Sequence, residues 1–167
     1  TESNCMKELF GLDAFSPSEI ADRVENTGVA KTRLPFLSLV MLGILAGAFI
    51  GLGALFFALV TSDTSLSFAT GRLMGGVCFS LGLILVVVAG AELFTGNNLL
   101  AMAWADGKIS TVEVLRNWVI VSISNFAGAV VLALLVIQSG HPDMNQGAIK
   151  TQYLQIAELK CNLSFLN

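Results

Sequence analysis

Leu85-Val-Val-Val-Ala-Gly-Ala-Glu-Leu-Phe-Thr-Gly-Asn97 lies inside an apolar stretch running from Leu73 to Trp104, and its polar centre decides how the chain must fold. The stretch holds 32 residues, whereas about 20 apolar residues suffice for one straight crossing of a bilayer. A carboxylate, a hydroxyl and an amide, with Asn98 following, cannot face hydrocarbon. They need surrounding protein or a water-filled cavity. Gly75, Gly76, Gly82, Gly90 and Gly96 punctuate the same stretch. Two half-helices around an unwound centre near the bilayer midplane account for this length and glycine content better than one tilted rod. The unwound centre is read as the wall of a permeation pathway.

The rest of the chain supports lipid as solvent. Hydrophobic residues make up 54% of the sequence and charged residues 13%, where a soluble domain carries about 25% charge; the mean hydropathy is +0.77. The net charge of −3 says little, because charge is confined to ends and loops. Nine Lys and Arg, none clustered, exclude a nucleic-acid partner. Cys5, Cys78 and Cys161 are scattered and form no C-x-x-C pair, and His141 is the single histidine. Neither a thiolate metal site nor a bis-histidine haem can be assembled from them, so no metal or cofactor is expected. The start does not read as a signal peptide, since the first apolar run begins only at Leu34 and is too long for one.

Residues 1–33 form a polar N-terminal segment. Ser16-Pro17-Ser18-Glu19 supplies a capping box with proline at the first helical position, and Ile20, Ala21, Val24 and Ala30 give a weak apolar stripe. A short helix at the membrane surface is expected there. Residues 34–138 form a three-span half-domain. Leu34 to Val60 is 27 residues without a charge, roughly 40 Å of helix. Its Gly43, Gly47 and Gly51 share one face, which suits close approach of another helix. Thr61 to Arg72 reads as a loop, Leu73 to Trp104 as the interrupted second span, and Trp118 to Ile137 as the third, preceded by a second capping box at Ser110 and Glu113. Residues 139–167 are polar and weakly amphipathic and are expected to form an outer connection leading toward a further span. Ile149, Ile156, Leu159 and Leu163 lie roughly on one side of it.

Basic residues set the orientation. The N-terminal segment and second loop carry six (Lys7, Arg23, Lys31, Arg33, Lys108, Arg116), and the first loop and tail carry three (Arg72, Lys150, Lys160). The N-terminus is therefore expected in the cytoplasm. Transporters are often built from inverted repeats that meet at the transport site, and this chain reads as one half of a 3+3 protein.

Where the second span restarts, N–H groups around Thr95 to Asn98 are left free, and a helix N-terminus favours an anion. Thr95 adds a hydroxyl. Leu93 and Phe94 are suited to narrowing a pore against fully hydrated ions. Together they favour small, weakly hydrated anions or their neutral acids. Glu92 opposes that reading if it lines the pore, so its expected task is to accept hydrogen bonds from the broken backbone. Asn97 and Asn98 are expected to satisfy the loop, and Asn125 to hydrogen-bond to the interrupted helix. Phe79 and Leu83, read from packing alone, are core residues of the first half-helix.

Val87-Val-Ala-Gly-Ala-Glu-Leu-Phe-Thr-Gly96, together with Gly75-Gly-Val-Cys-Phe-Ser-Leu-Gly-Leu-Ile-Leu85, resembles the signature region of the formate/nitrite transporter family. The resemblance implies an all-α, aquaporin-like bundle with six spans per subunit, assembled as a homopentamer with a pore in each subunit, in the bacterial inner membrane. It implies passage of small monovalent anions such as formate, nitrite or hydrosulfide, without enzymatic chemistry. By motif, Leu93 falls at a cytoplasmic constriction, Phe94 in the interrupted loop, Thr95 at a central site, and Phe79 and Leu83 along the outer constriction and central pore. Glu92 falls at the acidic position supporting the loop, and Lys31 and Lys160 at vestibules on the two faces. The family's central histidine belongs to the half missing here, and His141, in Gly140-His-Pro142, does not match it. This chain is thus expected to be a partial subunit that does not conduct alone. Formate is favoured over nitrite and hydrosulfide. A membrane anchor for a redox complex and a neutral-solute channel are the readings of other kinds.

Overall fold

A computed structural model describes residues 15–163, and every regular element among them is helical. Helix α1 (Pro17–Thr32) starts at the expected capping box, with Ser16 N–H donating to Glu19 Oε2 at 2.8 Å and Glu19 N–H to Ser16 Oγ at 3.4 Å. Helix α2 (Phe36–Thr61) follows Pro35, whose fixed φ suits a helix start. Helix α3 spans Phe68–Ala89, and after a break come the short helices α4 (Phe94–Asn97) and α5 (Leu100–Ala105). Helix α6 (Thr111–Gln138) begins at the Ser110–Glu113 capping box. Two 3-10 turns, His141–Asp143 and Asn145–Gly147, lead into α7 (Ala148–Cys161).

Helices α2, α3 and α6 are long and apolar enough to cross a membrane, and the chain is a multi-pass membrane protein. The interruption of the second span is present, but its halves are unequal. Ser67 accepts from the Thr70 N–H and starts α3 five residues ahead of Leu73, so Arg72 lies on the helix rather than in the loop. Helix α3 alone has 22 residues, about 33 Å, which is nearly a full crossing. The pieces after the break are the short ones. The break also sits off-centre: Glu92 N–H donates at 3.2 Å to the carbonyl of Leu42. Leu42 is only about 9 Å along α2 from its start.

Helix α2 is the centre of the bundle, flanked by α3 and α6, and small residues let the backbones touch. The face Gly43, Gly47 and Gly51 meets α6 as its spacing anticipated. A Cβ on Gly47 would fall 1.9 Å from the Asn125 carbonyl oxygen, and one on Gly43 2.6 Å from Ser124 Cβ. Gly128 answers from α6, where a Cβ would lie 2.0 Å from the Ile44 oxygen. On the other flank, Gly53 and Gly82 allow α2 and α3 the same closeness, at 2.7 Å from the Phe79 and Phe49 oxygens.

The ends are closed by different means. Helix α1 lays Gly28 on Leu100 and Ala103 of α5, and Lys108 ties the α5–α6 loop to Glu25 of α1 and, at 3.0 Å, to Asp106. Those partners, Glu25 foremost, raise the Lys108 ammonium above the ordinary lysine range. At the opposite end α7 anchors through Ile149, which is fully buried. The one-sided stripe expected there is only partly buried, since Leu159 and Leu163 remain exposed.

Replacing Gly128 by valine should separate α2 from α6, because its Cβ would collide with backbone and not with a movable side chain. The loss should exceed the roughly 1–3 kcal/mol of ordinary overpacking. Gly76→Ala, where nothing lies within 4 Å, should be tolerated. Thermal unfolding in detergent compares the two; equal stability would refute the close contact.

Candidate functional site

Helix α3 ends because Gly90 takes the left-handed conformation (φ 62). Gly90 N–H returns to the Val87 carbonyl at 3.2 Å and Ala91 N–H to that of Val86 at 2.9 Å, a closing motif that satisfies two of the carbonyls in the last turn. The chain then runs extended through Leu93 (φ −101, ψ 130) and turns into α4. Backbone groups freed inside a membrane need partners from elsewhere in the protein. Asn125 of α6 provides two of them. Its Oδ1 accepts from Phe94 N–H at 2.9 Å, and its Nδ2 donates at 2.8 Å to the carbonyls of both Glu92 and Gly43. One amide therefore joins α2, α6 and the break, as its place beside small residues suggested.

A second network lies under the break. Lys31 of α1 donates to Glu92 Oε1 at 2.9 Å and to Asn97 Oδ1 at 3.0 Å. Asn97 Nδ2 donates to Glu92 Oε2 at 2.9 Å and to Asn117 Oδ1 at 2.8 Å, while the Trp118 indole N–H reaches the Asn97 carbonyl at 2.9 Å. Glu92 is 4% exposed, and Asn97 and Asn117 are fully buried. Glu92 was expected to accept from the broken backbone. It accepts instead from two side chains, because Leu42, Val86, Val87 and Asn125 already satisfy that backbone. Lys31 is correspondingly an ion-pair partner of Glu92.

The break also borders a hollow of about 520 Å³, lined by Leu83, Leu93, Thr95, Gly90 and Gly96 and by the paired Lys31 and Glu92. Thr95 and Gly96 are exposed, and their N–H groups meet no acceptor among the described residues. Leu83, Leu93 and Thr95 are thus brought together. Phe79 lies one turn before Leu83, exposed on the same helix but outside the hollow's lining. Phe94 turns away from it and stands edge-on to Trp118, with ring centroids 6.2 Å apart. The Asn98 side chain is exposed and makes no hydrogen bond among the described residues. Lys160, on α7, borders a separate hollow at the opposite end of the bundle.

Sequence reasoning missed Asn117 and gave Trp118 only an interfacial role. The available signal was a polar residue two turns before Asn125, at the margin of an apolar span. Among the described residues no group of three metal-ligating side chains occurs.

Residues 18–167 match the family model for formate/nitrite transporters. The chain is 37% identical over 162 residues to the formate channel FocA of Escherichia coli K12, covering 96% of this chain and 57% of the relative. It is 46% identical over 119 residues to an uncharacterized transporter, YrhG, of Bacillus subtilis, covering 70% of this chain and 45% of that protein. A solved pentameric formate channel with formate bound superposes with a TM-score of 0.73 at 35% identity, over 78% of this chain and 52% of that one. The chain spans about half the length of the relatives it matches.

Three substitutions test the bracing. Lys31→Met leaves Glu92 buried without its cation and should cost about 3–5 kcal/mol, whereas Lys31→Met combined with Glu92→Gln should recover part of that loss. Additive costs in chemical unfolding would deny the pairing. Asn125→Leu strands the Phe94 N–H and the Glu92 carbonyl at about 1–3 kcal/mol each. Amide exchange at Phe94 should rise strongly in that variant; unchanged protection would show that Asn125 does not hold the break.

Proposed function

This chain belongs to the formate/nitrite transporter family, and from that we propose that it is part of a membrane channel for small monovalent anions, formate foremost. The substrate moves down its gradient or together with a proton. Nitrite and hydrosulfide are the alternative substrates at the same site. The observation that carries the reading is the break between α3 and α4, where the Lys31–Glu92 ion pair, Thr95 and two free N–H groups border one hollow.

The physical case rests on charge accounting at the break. Glu92 alone would repel an anion, but Lys31 neutralises it at 2.9 Å, so the dipoles of the free N–H groups and the Thr95 hydroxyl dominate locally. Donors of this kind replace part of an anion's hydration shell. Leu83 and Leu93 offer nothing in its place, so strongly hydrated or divalent ions are disfavoured. Phe94, locked on Trp118, fixes where α4 begins and so aims Thr95. Phe79 extends the apolar wall outward from Leu83. Lys160 raises anion concentration at the far mouth.

The relatives named as formate channels and the solved pentamer with formate bound support the substrate and a homopentamer. The distribution of basic residues supports a cytoplasmic N-terminus in a bacterial inner membrane. No redox centre or covalent step is part of this function.

Thr95→Leu in the complete subunit, reconstituted into liposomes, should abolish formate uptake while leaving the assembled particle unchanged on size-exclusion chromatography. Undiminished uptake would remove Thr95 from the pathway.

A further inference from the structure

At the end of the bundle opposite the break, the start of α3, the α2–α3 loop and one face of α7 enclose a hollow of about 480 Å³. Arg72 and Lys160 both line it, as do Gln152, Gln155 and Asp63. The Arg72 guanidinium lies over two rings, 5.3 Å from the centroid of Phe68 and 5.9 Å from that of Phe57. Neither cation has a carboxylate partner among the described residues. Two rings thus flank the guanidinium, and its N–H donors meet no acceptor among the described residues, which leaves them for a ligand.

We propose that Arg72, together with Lys160, forms a capture site for planar monocarboxylates at this mouth, with Arg72 as the residue that selects them. The site rests on the channel reading above and adds a specificity element to it. A guanidinium presents two parallel N–H groups that match the two oxygens of a carboxylate, while a lysine ammonium acts as a point charge indifferent to shape. Lys160 supplies attraction from the opposite wall, and Gln152 and Gln155 supply further amide donors. Asp63 limits the charge. The hydroxyl and N–H of Ser65 hold its carboxyl below the usual carboxylate range, so the hollow carries two cations against one anion. A net single positive charge suits a monoanion and gives a divalent anion little advantage. Phe57 and Phe68 make the walls apolar, which favours an anion that sheds water readily.

The test uses the complete subunit in its native assembly, with external formate as ligand and chloride as a spherical competitor. Arg72→Gln should raise the formate concentration for half-maximal uptake by about threefold or more, with maximal rate unchanged, and high salt should erase the difference. Arg72→Lys should keep the salt-dependent attraction yet lose the preference, so that chloride competes markedly better than in the wild type. An Arg72→Lys protein indistinguishable from wild type in competition would overturn the selecting role. A salt-independent drop in maximal rate would reduce Arg72 to a structural clamp on its two rings. A half-saturation that follows the anionic-lipid content of the vesicle would assign the guanidinium to a lipid headgroup instead. Should the wild type move no formate, the pathway reading at Thr95 fails separately. The hollow is then read by line broadening of carbon-13 formate, which must vanish in Arg72→Gln if the capture site exists.

Discussion

A chain that leaves the helix inside a membrane frees N–H groups and carbonyls, and here the Asn125 amide ties the break to α2 and α6 by bonding the Phe94 N–H and the carbonyls of Glu92 and Gly43. Its reach depends on a packing fact one helix away. Gly43 and Gly47 carry no side chains, so α6 lies against α2 closely enough for the amide to bond the Gly43 carbonyl and the break at once. Any residue with a Cβ at position 47 would lift Asn125 away from the groups it satisfies. The glycine face and the polar break, far apart in sequence, are one structural device.

The second requirement is electrical. A carboxylate buried within the bundle is tolerable only when its charge is cancelled, and Lys31 reaches it from a helix outside the spans. Asn97 bridges both partners and passes the hydrogen-bond chain on to Asn117. The break is thereby made rigid and locally neutral on its buried side. The hollow it borders therefore meets a paired charge and the oriented dipoles of free N–H groups.

The break, the capping boxes at Ser16 and Ser110 and the glycine face were legible because each is a local pattern. Polar residues in an apolar run, a serine three residues before a glutamate, and glycines at helical spacing each have one physical reading. Pairings across the chain were not legible. Nothing in the sequence joins Lys31 to Glu92, 61 residues away, so each received a separate task. The direction of Phe94 was equally hidden, because it depends on where Trp118 arrives from another helix. Asn98 was grouped with Asn97 by adjacency, yet neighbours on a short helix point to different sides, and only Asn97 enters the network.

The off-centre position of the break follows from these pairings. A gap at the bilayer midplane would place Glu92 beyond the reach of a lysine rooted in a surface helix, leaving the carboxylate to be neutralised by a second cation buried within a span, at far greater desolvation cost. Setting the break about 9 Å along α2 brings Glu92 within reach of Lys31 while keeping Thr95 inside apolar walls. The unequal halves are the consequence: α3 must nearly cross the membrane before it breaks, and only α4 and α5 remain to finish the crossing. The lengths of these helices thus follow from where Lys31 can meet Glu92.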